Sequence, residues 1–149
     1  MVHIERSALV LHAADRMHAL VADIGAYPQF LPWCRASEVR SIDADEVEAT
    51  LHIEYRGIRQ RFTTRNRTSA DGSIELRLVS GPFKSLEGKW SFAVLRRDAS
   101  KVHLELSYQL ASGLLEHVVG PMFNYIAGTL VDAFVRRADS LDDTHADAR

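Results

Sequence analysis

Two sets of side chains in this chain have the type and spacing to do chemistry. The first is apolar and aromatic: Tyr27, Phe30, Trp33, Phe62, Phe83, Trp90, Phe92, Tyr108, Phe123 and Phe134, with Ile126 among them. Residues of this kind line pockets for greasy molecules, where a few polar groups orient the guest. Thr64, Asn66 and the Tyr108 hydroxyl are the candidate polar groups. Taken singly, each aromatic is equally a core residue. The second set is basic. Arg59, Arg61, Arg65 and Arg67 share one phase of a period-two stretch, with Arg56 just before it. Guanidinium groups in a row suit RNA phosphates or anionic headgroups. The competing reading is a solvated strand face with Glu48, Glu54 and Glu75 as cross-strand partners. No aromatic shares the arginine phase, so stacking on bases is not indicated.

Other chemistry is missing from the pattern. There is no Gly-x-Ser-x-Gly elbow, phosphate-binding glycine loop or His-Glu-x-x-His segment. The histidines are scattered, and none pairs at zinc-site spacing. His3, His52 and His103 fall in the polar phase of strands and read as surface residues. No catalytic residue and no metal ligand is therefore assigned, and no cofactor is required. The single cysteine, Cys34, permits no intramolecular disulfide and suits a reducing compartment. It reads as a small buried apolar residue.

Composition sets outer bounds. The chain has 149 residues, 46% apolar and 26% charged, which fits one domain with a substantial core. The formal net charge of −2 gives no global field toward nucleic acid, so DNA is not an expected partner. No apolar run approaches the roughly 18–20 residues that span a bilayer. The start, Met1 to Ser7, lacks a signal-peptide layout. The expectation is a cytoplasmic protein whose contact with the inner membrane, if it has any, is peripheral.

The elements that must position these side chains follow from periodicity. Val2 to Leu11 reads as a strand. Met17, Leu20, Val21 and Ile24 have helical spacing, and Pro28 and Pro32 then restrict the chain to a short helix or turn. From Ala36 to Leu110 the period is two. Val47, Ala49, Leu51, Ile53 and Tyr55 alternate with polar residues, Phe62, Thr64 and Asn66 alternate with the arginines, and Trp90, Phe92 and Val94 repeat the pattern. Asp71-Gly72 signals a hairpin. Consecutive strands joined by short turns make an antiparallel meander. After Gly113, apolar residues recur at three and four, and Gly120-Pro121 places the start of the main helix at Pro121, running to Leu141. The domain is assigned to residues 1–141, with 142–149 a polar, disordered tail.

This order predicts a hollow. One helix is roughly 10 Å wide, whereas about seven strands at roughly 4.8 Å spacing exceed 25 Å. The sheet must curl around the helix, and curling leaves space that side chains only partly fill.

The segment Tyr27-Pro28-Gln29-Phe30-Leu31-Pro32-Trp33-Cys34 resembles the coenzyme-Q-binding START-like family of the polyketide cyclase and lipid-transport superfamily. Further matches are Phe62-Thr63-Thr64-Arg65-Asn66, Gly81-Pro82-Phe83, then Leu86, Gly88, Trp90 and Phe92, and finally Phe123, Ala133-Phe134 and Arg137-Ala138. The resemblance implies an α+β helix-grip (START-like, Bet v 1-like) fold. It would be a curved antiparallel sheet wrapped around a long C-terminal helix, with two short helices after the first strand. It implies non-catalytic binding of a hydrophobic ligand, ubiquinone foremost, in support of respiration. The bacterial branch includes the ribosome-association toxin, which implies as an alternative binding to the large ribosomal subunit that blocks subunit joining. Older family labels imply an aromatase or cyclase, which needs an acid or base inside the cavity. The inward phases read here contain no Asp, Glu or His.

Overall fold

The computed structural model describes the backbone of residues 1–147 and the side chains of residues 1–142. The chain runs β1 (Val2–Val10), α1 (Ala14–Ala22), a 3₁₀ helix (Ile24–Gln29), β2 (Cys34–Ser41), β3 (Glu46–Tyr55), β4 (Ile58–Thr68), β5 (Ile74–Ser80), β6 (Phe83–Arg96), β7 (Ala99–Leu110) and α2 (Gly113–Asp147). The strands form a single antiparallel sheet in the order β1-β7-β6-β5-β4-β3-β2. This is the α+β helix-grip architecture, with the two short helices after the first strand.

Tight turns set the register. Arg56 and Gly57 both take positive φ, 51° and 82°, the backbone that joins twisted antiparallel strands in two residues. At Asp71-Gly72 the Asp71 carboxylate accepts the Ser73 N–H at 2.9 Å and its hydroxyl at 2.7 Å, closing the expected hairpin. Gly81 has a different task. A Cβ there would lie 2.6 Å from the Phe62 Cβ, so only glycine lets β5 turn into β6 directly over Phe62.

Helix α2 lays Val119, Met122, Phe123, Ile126, Ala127, Val131, Phe134 and Ala138 on the sheet, all buried. It begins at Gly113, not at Pro121 as the sequence suggests. The Ser112 hydroxyl accepts the Leu115 N–H at 3.2 Å and caps the earlier start. Pro121 lies inside the helix, where it donates no N–H to the His117 carbonyl, and Gly120 before it removes the Cβ part of the pre-proline clash. The helix also continues past Leu141 to Asp147, and Asp142 is held by Arg16 at 2.6 Å. The first residues of the expected tail thus continue the helix, and residues 148 and 149 lie outside the described residues.

By length and composition Gly113–Asp142 suffices to cross a bilayer, contrary to the expectation from the sequence. Its polar residues are spread through the helix and do not break its apolar average. In this fold its apolar face is buried against the sheet. A Cβ on Gly128 would come no nearer than 3.9 Å to a neighbouring side chain, the Arg6 guanidinium, so the packing of α2 leaves room there.

Candidate functional site

Between the inner sheet face and α2 lies a cavity of about 200 Å³. β3 supplies Val47, Ala49 and Leu51 to its wall, and β4 supplies Phe62, Thr64 and Asn66. Leu86, Trp90, Leu106 and Tyr108 come from β6 and β7, and Phe123, Ile126, Ala127 and Leu130 from α2. Ile24, Tyr27 and Trp33 close one side from the element carrying the two prolines. An apolar cavity of about 150 Å³ is known to stay dry and admit benzene, so this one has room for a six-membered ring. The exposed wall residues Ala22, Ala44 and Asp45, with half-buried Glu46 and Thr68, mark the mouth between the end of α1 and the β2–β3 turn.

Few polar atoms face inward. The Tyr27 hydroxyl donates to the Val21 carbonyl at 2.5 Å, and the Tyr108 hydroxyl donates to Asn124 Oδ1. Burial raises both phenols, Tyr27 far above its ordinary value and Tyr108 to about 12, so both stay protonated at neutral pH. Thr64 Oγ1 donates to Asn66 Oδ1 at 2.7 Å, which leaves the Asn66 amide nitrogen without a protein partner among the described residues. Cys34 is buried outside the wall, and burial pushes its thiol up to about 11. It is not a poised nucleophile.

Of the residues read from the sequence as ligand contacts, Tyr27, Trp33, Phe62, Phe83, Trp90, Tyr108, Phe123 and Ile126 meet at this wall. Phe30, Phe92 and Phe134 do not. Phe134 is fully buried behind the wall, edge-on to Trp90 at 5.4 Å and to Tyr27 at 5.3 Å, filling the seam between helix and sheet. Phe30 packs on Phe134 at 5.3 Å and under the Arg137 guanidinium at 5.1 Å. Phe92 stacks on Trp90 at 6.4 Å and meets His18 of α1 at 5.4 Å.

The sequence reading missed Ala49, Ala127 and the aliphatic part of the wall, whose signal is a small or aliphatic residue in a core phase. It also missed two carboxylates, because β3 begins at Glu46 and the turn before it folds over the mouth. Another omission is His12, which is 6% exposed, with Nε2 2.7 Å from Asp139 and Nδ1 3.0 Å from Asp142.

The arginines occupy the outer face. Arg59 reaches Glu54 at 3.4 Å and Arg67 reaches Glu46 at 3.9 Å, while Glu48 is taken by Arg40 at 2.5 Å. Glu75 stands opposite Arg67 in register without forming an ion pair. Arg61 and Arg65 are exposed and have no carboxylate partner among the described residues, and Arg77 stands beside Arg65 in the same condition. Elsewhere on that face Glu5, His103 and Glu105 bring ligand-type atoms within 4.8 Å, and His103 is ion-paired to Glu5 at 3.1 Å.

A curved antiparallel sheet gripping one long helix over an apolar hollow defines the helix-grip class of ligand-cavity proteins. The chain belongs to the polyketide cyclase / dehydrase and lipid transport family, whose model matches residues 10–135. It is similar to the ribosome association toxin RatA of Pseudomonas aeruginosa, with 42% identity over 139 residues, 93% of this chain and 96% of that protein. It is also similar, at 23% identity over 141 residues, to the mitochondrial coenzyme Q-binding protein COQ10 homolog B of Xenopus laevis, covering 92% of this chain and 58% of that one. The crystal structure of the Zhui aromatase/cyclase from a Streptomyces species shares the fold, with a TM-score of 0.76, 21% identity and 93% of each chain covered.

Proposed function

We propose that this protein binds a ring-bearing apolar lipid, with a prenylated quinone such as ubiquinone as the leading candidate, and shields it from water without transforming it. The observation that carries this reading is the open apolar cavity of about 200 Å³. A quinone ring fits inside, and an isoprenoid tail leaves through the mouth at Ala22 and Ala44. The Asn66 amide nitrogen supplies a donor for a quinone oxygen. Each square ångström of apolar surface removed from water contributes about 25 cal/mol. Both wall tyrosines are protonated and already hydrogen-bonded, and the two carboxylates sit at the rim, where water competes for them. These features favour a carrier over a cyclase, which needs its acid or base at the ring. The name of the COQ10 relative points the same way. Organic extraction of the purified protein followed by mass spectrometry tests the reading. Quinone should appear, and repeatedly empty extracts with no uptake of added ubiquinone would defeat it.

A second reading rests on a separate surface. RatA, at 42% identity, is named for ribosome association, and the outer face here presents Arg61 and Arg65 without carboxylate partners. Phosphate contacts of this kind weaken steeply with salt. The protein should cosediment with large ribosomal subunits at low salt, less so at high salt, and less again after Arg61→Glu with Arg65→Glu. Cosedimentation indifferent to both changes would remove the arginine face from the interaction.

A further inference from the structure

Strand β6 overruns the core that its first half builds. Trp90 is 2% exposed, Phe92 is half-buried, and Val94, next in the same phase, is 72% exposed. Leu95, at the bulge between Val94 and Arg96, is 55% exposed. Across β7, β1 runs out at the same level: Val10 pairs with Ser100, and Ser100 pairs with Val94. There Leu9 and Leu11 are each 75% exposed. A single bare aliphatic needs no explanation, but four at one corner do.

The unpaired charges on the β6–β7 side of this corner are basic, while Asp139 and Asp142, beyond Leu11, are engaged by His12 and Arg16. Arg97 and Lys101 are exposed and have no carboxylate partner among the described residues, while Arg96 is neutralised by Asp98 at 3.0 Å. Lys101 stands in the same row as Leu9. The location also matters. β1 and β6 end, and β3 begins, at one end of the antiparallel sheet, so the corner shares that end with Ala44 and Asp45 at the cavity mouth. Ile42, beside that turn, adds another aliphatic, 36% exposed. Asp43 and Asp45 lie on the β2–β3 side, away from Arg97 and Lys101, so an approach to negative charge is led by the β6–β7 side.

We propose that this sheet end docks on an anionic lipid bilayer. Val94, Leu95, Leu9 and Leu11 enter the boundary between headgroups and acyl chains, while Arg97 and Lys101 meet lipid phosphates. The side chains project from separate strand ends, Val94 in the row of Val10 and Leu9 in the neighbouring row of Lys101, so they do not line a single sheet face. That shape suits a deformable lipid surface. Docking holds the cavity mouth against the bilayer, where an apolar ligand can pass without crossing water. This purpose rests on the lipid-binding reading, whereas the docking geometry does not.

Sedimentation of the full chain with quinone-free vesicles tests the proposal. Vesicles of phosphatidylcholine with phosphatidylglycerol should bind the protein, and those of phosphatidylcholine alone should bind it about thirtyfold less, the effect of two basic side chains near an anionic surface. Val94→Asp with Leu95→Asp should abolish sedimentation and leave the circular dichroism unchanged. Leu114→Asp, on an aliphatic 74% exposed at the start of α2, should have no effect. Failure to bind either vesicle would overturn the proposal, as would equal loss with Leu114→Asp. So would a dimer in sedimentation equilibrium that the Val94/Leu95 variant dissolves, which would assign the corner to a second copy. Vesicle binding with empty organic extracts would uphold docking while the carrier reading fails, and quinone-bearing protein that ignores vesicles would do the reverse.

Discussion

Replacing Ala49 by leucine tests whether the space above the sheet is a true void. Ala49 is 3% exposed on β3 and lies in the cavity wall. The larger side chain adds roughly three carbons at about 0.8 kcal/mol for each CH₂ removed from water. The gross gain is thus about 2.4 kcal/mol. Fixing the leucine rotamer costs roughly 0.5–1 kcal/mol, leaving a net stabilisation of about 1.5 kcal/mol. In a domain of this size about 1 kcal/mol moves the melting temperature by roughly 2–4 °C. The variant should therefore melt about 4 °C higher in scanning calorimetry. It should also retain less quinone, because the added carbons stand where the ring would. A solidly packed interior gives the opposite sign, since overpacking costs about 1–3 kcal/mol. A lower melting temperature in a correctly folded Ala49→Leu protein would refute the cavity and the ligand reading built on it.

Three other changes have defined outcomes. Trp90→Ala should lose about 3–5 kcal/mol of stability in denaturant titration and release bound ligand; full retention in a folded variant would take Trp90 out of the pocket. Cys34 should resist iodoacetamide at pH 8 in the native protein and react on unfolding, because its thiol is raised from 9.0 to about 11. The folded state holds that proton more tightly than the unfolded one, so its contribution is complete below about pH 9 and is lost as pH rises toward 11. Cys34→Ala should flatten that part of the stability profile. Arg61→Glu with Arg65→Glu should change stability by no more than about 0.5 kcal/mol, as for exposed positions without partners; a large loss would show that the outer arginines hold the sheet together.

The strands were readable because each has one wet and one dry side. β4 alternates Phe62, Thr64 and Asn66 with arginines, and the fold turns the two sets to opposite faces as that alternation requires. Helix boundaries were less readable. Gly120-Pro121 looks like a start, yet the Ser112 cap lies a further two turns upstream, and a glycine before proline lightens the pre-proline crowding that would disfavour helix there. The cavity wall was half readable. Phe30, Phe92 and Phe134 have the same apolar character as Phe62 and Phe83, and no local pattern tells which core positions face empty space. A void comes from volume that is missing, so Ala49 and Ala127 define it as much as any aromatic. The clamp of His12 by Asp139 and Asp142 joins opposite ends of the chain and leaves no periodic trace at either.

The two proposed activities meet on a single strand. β4 places Phe62, Thr64 and Asn66 on the cavity side and Arg61 and Arg65 on the surface behind it, separated only by the thickness of the sheet. Ligand and ribosome would therefore not compete for space, and each could be removed alone. Phe62→Ala acts on the cavity, whereas Arg61→Glu acts on the outer face. A slip of one residue in the β3–β4 register would reverse both faces together, burying arginines and exposing the apolar wall. The Arg56-Gly57 turn, with its paired positive φ angles, is what holds that register. Gly57→Val, which forces a β-branched residue into that backbone, should therefore weaken quinone retention and ribosome cosedimentation in parallel, a coupling that no change confined to one face can produce.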